Sequence, residues 1–450
     1  MRFVLKSAAV AVACLVAYPA SATNGYFLPG FGVKSQGAGG VGIAVQADSL
    51  SQVANPANAT QTGMRGDLGL SLFNPERKAR TGPDLPANPE GGFGFNASAQ
   101  SGNRLYLMPD MAFTMPLDER LSVGLAVVGN GGMNTTFKPN IMASASFPTV
   151  PNGQPDSLTG VDLMQVIAPV TVAYKLTEQQ SVGVSLNLAA QRFKANGLGQ
   201  FGLFGISSSP AHLTNNGYDY SYGAGVRLGW LGKFMDDRVS LGATWASKTY
   251  MSKFDKYRGL FAEQGDFDIP ENYGLGLAIK PVDNFTVAAD VVRIKYTGIA
   301  SVSNAGPGTA VGSGVAQTAI LQLAFAPSTA PRKLGNDEGM GFGWMDMTVY
   351  KLGLIYDVSP DLTIRAGYNY GKTPIRNDQL VFSALAPATV EKHYSLGFTK
   401  QMKGELDWEI SGTYMYVANN TQSGCGQAIV DCVSYSMHQH ILGVGFGIKY

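Results

Sequence analysis

Apolar and polar residues alternate with a period of two along most of this chain, the pattern of β-strands with one apolar face. In the last segment, for example, Gly443 and Gly445 separate Leu442, Val444 and Phe446. Fourteen segments show the alternation, and they cover 65–74, 104–116, 120–129, 163–176, 180–194, 218–232, 238–250, 268–280, 284–296, 347–358, 362–372, 391–402, 405–417 and 435–450. The pattern therefore predicts an all-β protein with an even number of strands.

The connections between these segments alternate between short and long. The short ones are 117–119, 177–179, 233–237, 281–283, 359–361 and 403–404, and the long ones are 75–103, 130–162, 195–217, 251–267, 297–346, 373–390 and 418–434. A water-soluble sandwich has no reason to place every short turn at one end. A transmembrane β-barrel has tight turns on the periplasmic side and long loops outside. We therefore expect a 14-stranded antiparallel transmembrane β-barrel.

Composition agrees with a sheet in contact with lipid. Only 14% of the residues are charged, whereas about 25% is usual in soluble proteins. The net charge of +1 offers no basic excess for binding nucleic acid. The longest apolar run, 8–17, is too short for a spanning helix. Since a sheet survives in hydrocarbon only when it is closed, these features favour a barrel.

Residues 1–22 have the pattern of a secretory signal peptide. Arg2 and Lys6 precede an apolar stretch, and Ala20–Ala22 has the small residues of a cleavage site. The remaining cysteines, Cys425 and Cys432, are close in sequence, so we expect one disulfide in the exported protein. His438 and His440 are weak evidence for a metal site, and the sequence indicates no cofactor.

Residues 23–64 do not continue the strand pattern. They are rich in glycine and carry little charge, which favours burial. Ser49 and Gln52 have the spacing of a capping box for a short helix around 49–54, and Pro56 ends that helix. The segment is either a periplasmic tail or a plug, and a wide barrel needs filling. We expect the plug, with 65–450 as the barrel.

The N-terminal residues also resemble a known family. The run Thr23–Phe27, the glycine-rich run 37–44 and Asp48 followed by Asn55, Pro56 and Ala57 are similar to the N-terminal hatch of FadL/TodX outer-membrane transporters. Residue-level similarity is confined to about 23–60. The resemblance implies a hatch inside the barrel, uptake of long-chain fatty acids or of aromatic or aliphatic hydrocarbons, and location in the outer membrane of a Gram-negative bacterium.

The resemblance also implies where a ligand passes. Ligand is captured at external loops, meets the N-terminal segment and leaves sideways at a kinked third strand. Carried over here, Asn55, Pro56 and Ala57 are hatch residues, and Tyr26 and Phe27 contact ligand. The kink falls at Gly129, Asn130, Gly131 and Gly132, although the same run can instead begin an external loop.

Two external loops are unusually apolar, which is typical of a binding surface or of loops that pack on each other. One contains Leu198, Phe201, Leu203, Phe204 and Ile206, and the other contains Ile320, Leu321, Leu323, Ala324 and Phe325. Strand parity directs four charged residues into the barrel, namely Asp290, Lys351, Arg365 and Glu409. Arg365 or Lys351 can hold a ligand carboxylate, but internal ion pairs are the stronger interpretation.

Other functions are less well supported. The run 37–42 satisfies G-x-G-x-x-G but lacks the strand, helix and acidic residue of a dinucleotide site. His393 and Ser395 share a strand face without a third catalytic group, so we expect no enzyme. The alternatives are a general aqueous porin and, after it, an adhesin or enzyme. The expected partners are a hydrophobic small molecule and outer-membrane lipid or lipopolysaccharide, with the protein as a monomer.

Overall fold

The alternating segments form one antiparallel sheet that closes on itself. In the computed structural model, residues 24–82, 96–143, 157–307, 332–402, 407–427 and 430–450 are described. The long strands are β1 Arg65–Gly82, β2 Tyr106–Pro116, β3 Leu121–Asn134, β4 Gly160–Lys175, β5 Gln180–Asn196, β6 Asp219–Phe234, β7 Val239–Ala246, β8 Asn272–Val282, β9 Phe285–Ile294, β10 Met347–Ser359, β11 Leu362–Gly371, β12 Lys392–Met402, β13 Asp407–Gln427 and β14 Asp431–Lys449.

Each long strand pairs with its neighbours in the chain, and β14 pairs with β1 to close the barrel. Two short strands, Ala97–Gln100 and Tyr250–Met251, pair with β1 and β6. Apolar side chains cover the outer wall, including Leu68 and Leu442, which are 55% and 56% exposed. Such exposure suits a wall in contact with lipid. The predicted 14-stranded antiparallel barrel is confirmed.

Several strand ends differ from the sequence prediction. β1 ends at Gly82 instead of 74, and β3 ends at Asn134 instead of 129. The segment 418–434, predicted as a loop, is mostly the outer part of the β13–β14 hairpin. Apolar alternation is required only where a strand meets lipid, but backbone pairing continues beyond it, so polar strand ends escape the pattern. β8 begins at Asn272, after Pro270, which cannot donate a ladder hydrogen bond.

Helical segments are short and lie before or between the strands. They are α1 Val33–Gly37, α2 Ser51–Ala54 and α3 Gly199–Leu203, the turns Ala262–Gly265 and Ala300–Ser303, and the 3₁₀ turns Pro56–Thr60, Pro210–His212, Asp255–Tyr257, Tyr296–Gly298 and Phe382–Ala384. Among the described residues, we find no helix with the length and apolar character needed to cross a membrane.

The predicted capping box is wrong. The Ser49 hydroxyl donates to Asp67 Oδ2 on β1 at 2.6 Å, and Gln52 Nε2 donates to strand carbonyls as well as to the Ser49 carbonyl. Ser51 instead accepts from the amide of Ala47 at 3.0 Å. The polar side chains that the pattern assigns to the cap attach α2 to the barrel wall. Pro56 ends the α-helical stretch and begins a 3₁₀ turn, as the pattern indicates.

Candidate functional site

Residues 24–64, called the hatch from here on, pack against the inner wall of the barrel. The Ser395 hydroxyl on β12 accepts from the Gly39 amide at 3.0 Å and donates to the Gly37 carbonyl at 3.1 Å. A Cβ at Gly367 on β11 would lie 1.9 Å from the Gly39 nitrogen. Glycine on both sides therefore lets the hatch backbone touch the wall. The Ser395 hydroxyl is therefore directed at the hatch backbone.

The motif Asn55–Pro56–Ala57 fixes the end of the hatch. Asn55 Oδ1 accepts from the Ala57 amide at 3.1 Å, which caps the 3₁₀ turn. Its Nδ2 donates to the carbonyls of Ile43 at 2.8 Å and of Trp230 on β6 at 2.9 Å. One fully buried amide side chain thus joins two parts of the hatch to a strand.

Lumen charges also hold the hatch. Asp290 Oδ2 on β9 accepts from the amides of Gly42 at 2.8 Å and Ile43 at 3.2 Å. Lys351 Nζ on β10 donates to the Gly40 carbonyl at 3.0 Å. The guanidinium of Arg365 donates to Thr399 Oγ1 at 2.7 Å. Asp290, Lys351 and Arg365 are thus engaged within the protein through hydrogen bonds rather than the expected ion pairs, whereas Glu409 does form ion pairs.

A buried ion cluster lies at the start of β1. Glu409 on β13 pairs with both Lys34 of α1 and Arg65 of β1. Arg65 also pairs with Asp67 at 2.7 Å. All four side chains are at least nine-tenths buried, so loss of one charge leaves another uncompensated in the interior.

The barrel wall is incomplete between β2 and β3. β2 pairs with β1 from Tyr106 onwards, but it pairs with β3 only from Met111 to Pro116. The ladder between β3 and β4 shifts register between Gly129 and Gly131, where one extra residue forms a bulge. The ladder between β3 and β2 already ends at Val127, two residues before this shift. The predicted run 129–132 therefore lies inside a strand, at one side of a gap in the wall.

The first residues of the hatch lie at this gap. Phe27 forms a β-bridge with Gly131, the Gly132 amide donates to the Tyr26 carbonyl at 3.0 Å, and the Leu28 amide donates to the Asn130 carbonyl at 3.3 Å. A Cβ at Gly131 would lie 1.8 Å from the Tyr26 oxygen. The hatch therefore occupies the edge that β2 leaves free. On the outer side of the gap, Tyr106 Oη donates to Asn134 Oδ1 at 2.5 Å.

Aromatic rings form a continuous path from the external loops to the gap. We call it the aromatic path and define it by Phe193, Phe261, Phe267 and Tyr26. Successive ring centroids are 4.6, 4.8 and 6.0 Å apart. Trp344 adds a second contact to Tyr26, at 6.1 Å. The path is apolar, and rings at these distances pack favourably.

The outer end of the path opens into a narrow apolar cavity, called the outer cavity. Phe201 from the loop after β5 and Phe382 from the loop after β11 line it, with ring centroids 5.6 Å apart. Its other lining residues are Val161, Phe193, Leu198, Leu260, Phe261, Ser301, Leu334, Met340, Gly341, Phe342 and Leu385. Ser301 is the one side chain among them with a hydroxyl, and none is charged. This lining suits an apolar solute.

Tyr296 fixes the inner end of the path. Its hydroxyl donates to the Asn24 carbonyl at 2.6 Å and accepts from the Tyr26 amide at 3.2 Å. Burial raises the pKa of the Tyr26 and Tyr296 hydroxyls above the ordinary value. Both side chains therefore stay neutral at physiological pH, and they add no charge where the path meets the gap.

The structure brings only some of the proposed site residues together. Tyr26, Phe27 and Phe201 are buried along the path or its cavity, and Ile206 is fully buried nearby. Leu203 is 45% exposed, and Phe204 is partly buried against the core. The apolar segment 320–325 and the predicted signal peptide 1–22 lie outside the described residues. Cys425 and Cys432 form a disulfide at the end of the β13–β14 hairpin. In the described parts of the chain, no three potential metal ligands cluster.

Sequence analysis missed most of the aromatic path. Phe261 and Phe267 of the path lie in the loop between β7 and β8, and Tyr296 and Trp344, which contact Tyr26, lie in the loop between β9 and β10. Neither loop has a period that would reveal these rings. The available signal in the sequence is that these large aromatic residues lie in predicted loops, where such residues are often parts of binding surfaces.

Comparison with known proteins adds independent findings. A model of the family described as "Outer membrane protein transport protein (OMPP1/FadL/TodX)" matches residues 15–450. Sequence comparison with curated proteins found no significant match.

Three solved structures illustrate the structural similarity. The toluene transporter TodX of P. putida is 18% identical with a TM-score of 0.66, and a Pseudomonas aeruginosa FadL homologue is 15% identical with a TM-score of 0.65. The toluene transporter TbuX of Ralstonia pickettii is 17% identical with a TM-score of 0.59. Each comparison covers 94% of this chain and 99% of the other. At this identity the similarity shows a shared fold.

Proposed function

Because the chain belongs to the OMPP1/FadL/TodX family of outer-membrane transport proteins, we propose that it takes up hydrophobic small molecules, either long-chain fatty acids or aromatic or aliphatic hydrocarbons. The observation that supports this most directly is the aromatic path, which joins the outer cavity to the gap between β2 and β3. Each buried CH₂ group contributes about 0.8 kcal/mol, so an uncharged route of this kind favours apolar solutes.

The first step of the proposal is capture at the external loops. The outer cavity has a volume of about 30 Å³, far below the roughly 150 Å³ of a cavity known to bind benzene. The loops that carry Phe201 and Phe382 therefore separate when a ligand binds. The energy of burying the ligand offsets the contacts that these loops lose.

The last step is sideways exit through the gap. The hatch lies in the lumen and is hydrogen-bonded to β6, β9, β10 and β12, so it obstructs a straight path through the barrel. Over Tyr106–Asp110, β2 has ladder pairs with β1 but none with β3. An apolar ligand that leaves there enters lipid directly. Each barrel has its own hatch and gap, so we propose that the monomer is the working unit.

A general aqueous porin is the competing function, and one substitution with one control variant distinguishes the two functions. Phe201→Asn places an amide in the outer cavity, whereas Leu203→Asn changes an exposed neighbour in the same loop. We expect Phe201→Asn to lower uptake of a radiolabelled fatty acid or toluene about tenfold at low concentration, with Leu203→Asn within twofold of the unmodified protein.

Liposome swelling provides the second readout. The unmodified protein is expected to pass arabinose no faster than empty liposomes, because the hatch blocks the lumen. Free arabinose flux, with equal apolar uptake by both variants, would contradict the proposed transport function and support a porin.

A further inference from the structure

Basic residues continue the apolar outer face of β5. Val184, Leu186 and Leu188 face the lipid and are 42%, 48% and 47% exposed. Alternate residues of a strand point to the same side, so Arg192 and Lys194 lie on this face beyond Leu188. They are near the loop end of β5, which is the extracellular end. The outer face therefore changes from apolar to cationic where the lipid chains end.

The two cations share one aromatic ring. The Arg192 guanidinium lies 4.7 Å from the centroid of Tyr218, and the Lys194 ammonium lies 4.6 Å from it. The Tyr218 hydroxyl donates to Asp162 Oδ2 at 2.6 Å, which fixes the ring. The neutral ring of Tyr218 thus contacts two positively charged side chains.

Further positive charge comes from the loop after β7. Lys253 and Lys256 are exposed, and Lys256 Nζ donates to the Tyr218 carbonyl at 2.7 Å. The nearby Asp219 already accepts from the amides of Lys256 at 2.8 Å and Tyr220 at 3.0 Å. We call Arg192, Lys194, Tyr218, Lys253 and Lys256 the rim patch.

A second basic pair on the outer wall, Arg293 and Lys295, provides a comparison with Arg192 and Lys194. Arg293 and Lys295 follow the apolar outer face of β9 as Arg192 and Lys194 follow that of β5. Asp346 pairs with both of them. Burial raises its pKa, but the hydrogen bonds from Lys295 and Thr297 outweigh burial and lower the pKa to about 2. The carboxylate therefore neutralises the β9 pair within the protein. At the rim patch, Arg192 and Lys194 share the ring of Tyr218, Asp162 lies opposite Lys194 on β4 and accepts from the Tyr218 hydroxyl, and Lys256 adds a further positive charge.

We propose that the rim patch binds the phosphorylated headgroup of a lipopolysaccharide molecule in the outer leaflet. Arginine and lysine form strong charge-assisted hydrogen bonds with phosphate, and basic clusters at membrane boundaries bind anionic headgroups. Tyr220 and Tyr222, 56% and 64% exposed on the adjacent strand, are placed to pack at the headgroup level. The role of this site is to hold the barrel at the level of the outer-leaflet headgroups. This role does not depend on which ligand the barrel transports.

The test compares two double variants of the full-length protein, each of which replaces two positively charged side chains by uncharged ones. Arg192→Gln with Lys194→Gln removes the pair in the rim patch, and Arg293→Gln with Lys295→Gln is the matched control. Binding of diphosphoryl lipid A, monophosphoryl lipid A and phosphatidylglycerol is measured by native mass spectrometry. Heat-modifiable migration first confirms that each barrel is folded.

We expect the rim-patch variant to bind diphosphoryl lipid A at least tenfold more weakly than the unmodified protein, with the control variant within twofold. We also expect weaker binding of monophosphoryl lipid A and of phosphatidylglycerol to the unmodified protein. Equal losses in both variants, no loss in either, or equal binding of phosphatidylglycerol would overturn the proposal.

Discussion

Single glycine residues decide how closely the hatch meets the wall. Gly131 allows the Tyr26 carbonyl to approach β3, and Gly367 allows the approach of Gly39. The sequence shows the glycine-rich runs but not their partners, because each contact joins positions that are distant in the chain. Asn55 is similar: the motif marks it as a hatch residue, but only the fold shows that it reaches the carbonyl of Trp230.

Substitution of Gly131 tests whether its close contact with Tyr26 positions the start of the hatch. A side chain at Gly131 would meet the Tyr26 carbonyl, whereas a Cβ at Gly129 has Leu28 Cδ1 as its nearest neighbour, at 3.9 Å. We expect Gly131→Val to displace the first hatch residues, speed hydrogen exchange at the Gly132 amide and lower apolar uptake about tenfold. Gly129→Ala is the control and should leave both close to normal. Normal exchange and uptake in Gly131→Val would contradict the contact.

At the scale of elements, the sequence predicts the order of strands well and their ends poorly. Lipid requires apolar alternation, so the membrane-spanning parts of β5 and β14 are visible in the pattern. The outer β13–β14 hairpin is polar and therefore missed. The gap between β2 and β3 is also hidden, because the loss of a ladder depends on pairing rather than on residue type. Only the glycines at 129–132 indicate where β3 bends.

Attachment of the hatch to the barrel is tested at Glu409. Glu409→Gln leaves Lys34 without its carboxylate partner in the interior, which costs about 3–5 kcal/mol and weakens hatch docking. We expect arabinose to enter liposomes that contain this variant. Asp361→Asn is the control, since it breaks a pair with Lys400 that is exposed and contributes about 0–1 kcal/mol. Tight liposomes with both variants would show that the buried cluster does not hold the hatch.

For the whole molecule, the solvent explains the architecture. Hydrocarbon outside requires a closed wall, and a wide barrel requires a filling. The proposed sideways exit lies where the ladder between β2 and β3 is open. Composition and loop lengths are sufficient to predict the barrel. The aromatic path is not predictable from them, because its rings come from the hatch, from β5 and from the loop after β7, which only the closed barrel brings together.

The most direct test of sideways exit is to close the gap chemically. Tyr106 and Asn134 face each other across it, so Tyr106→Cys with Asn134→Cys allows a short bis-maleimide to join β2 and β3. Met115→Cys with Val123→Cys is the control, because these residues are opposite each other where the ladder is intact. Uptake of a radiolabelled apolar ligand is measured before and after cross-linking. We expect the gap cross-link to abolish uptake and the control cross-link to leave uptake unchanged. Full uptake by protein with a cross-linked gap would contradict sideways exit.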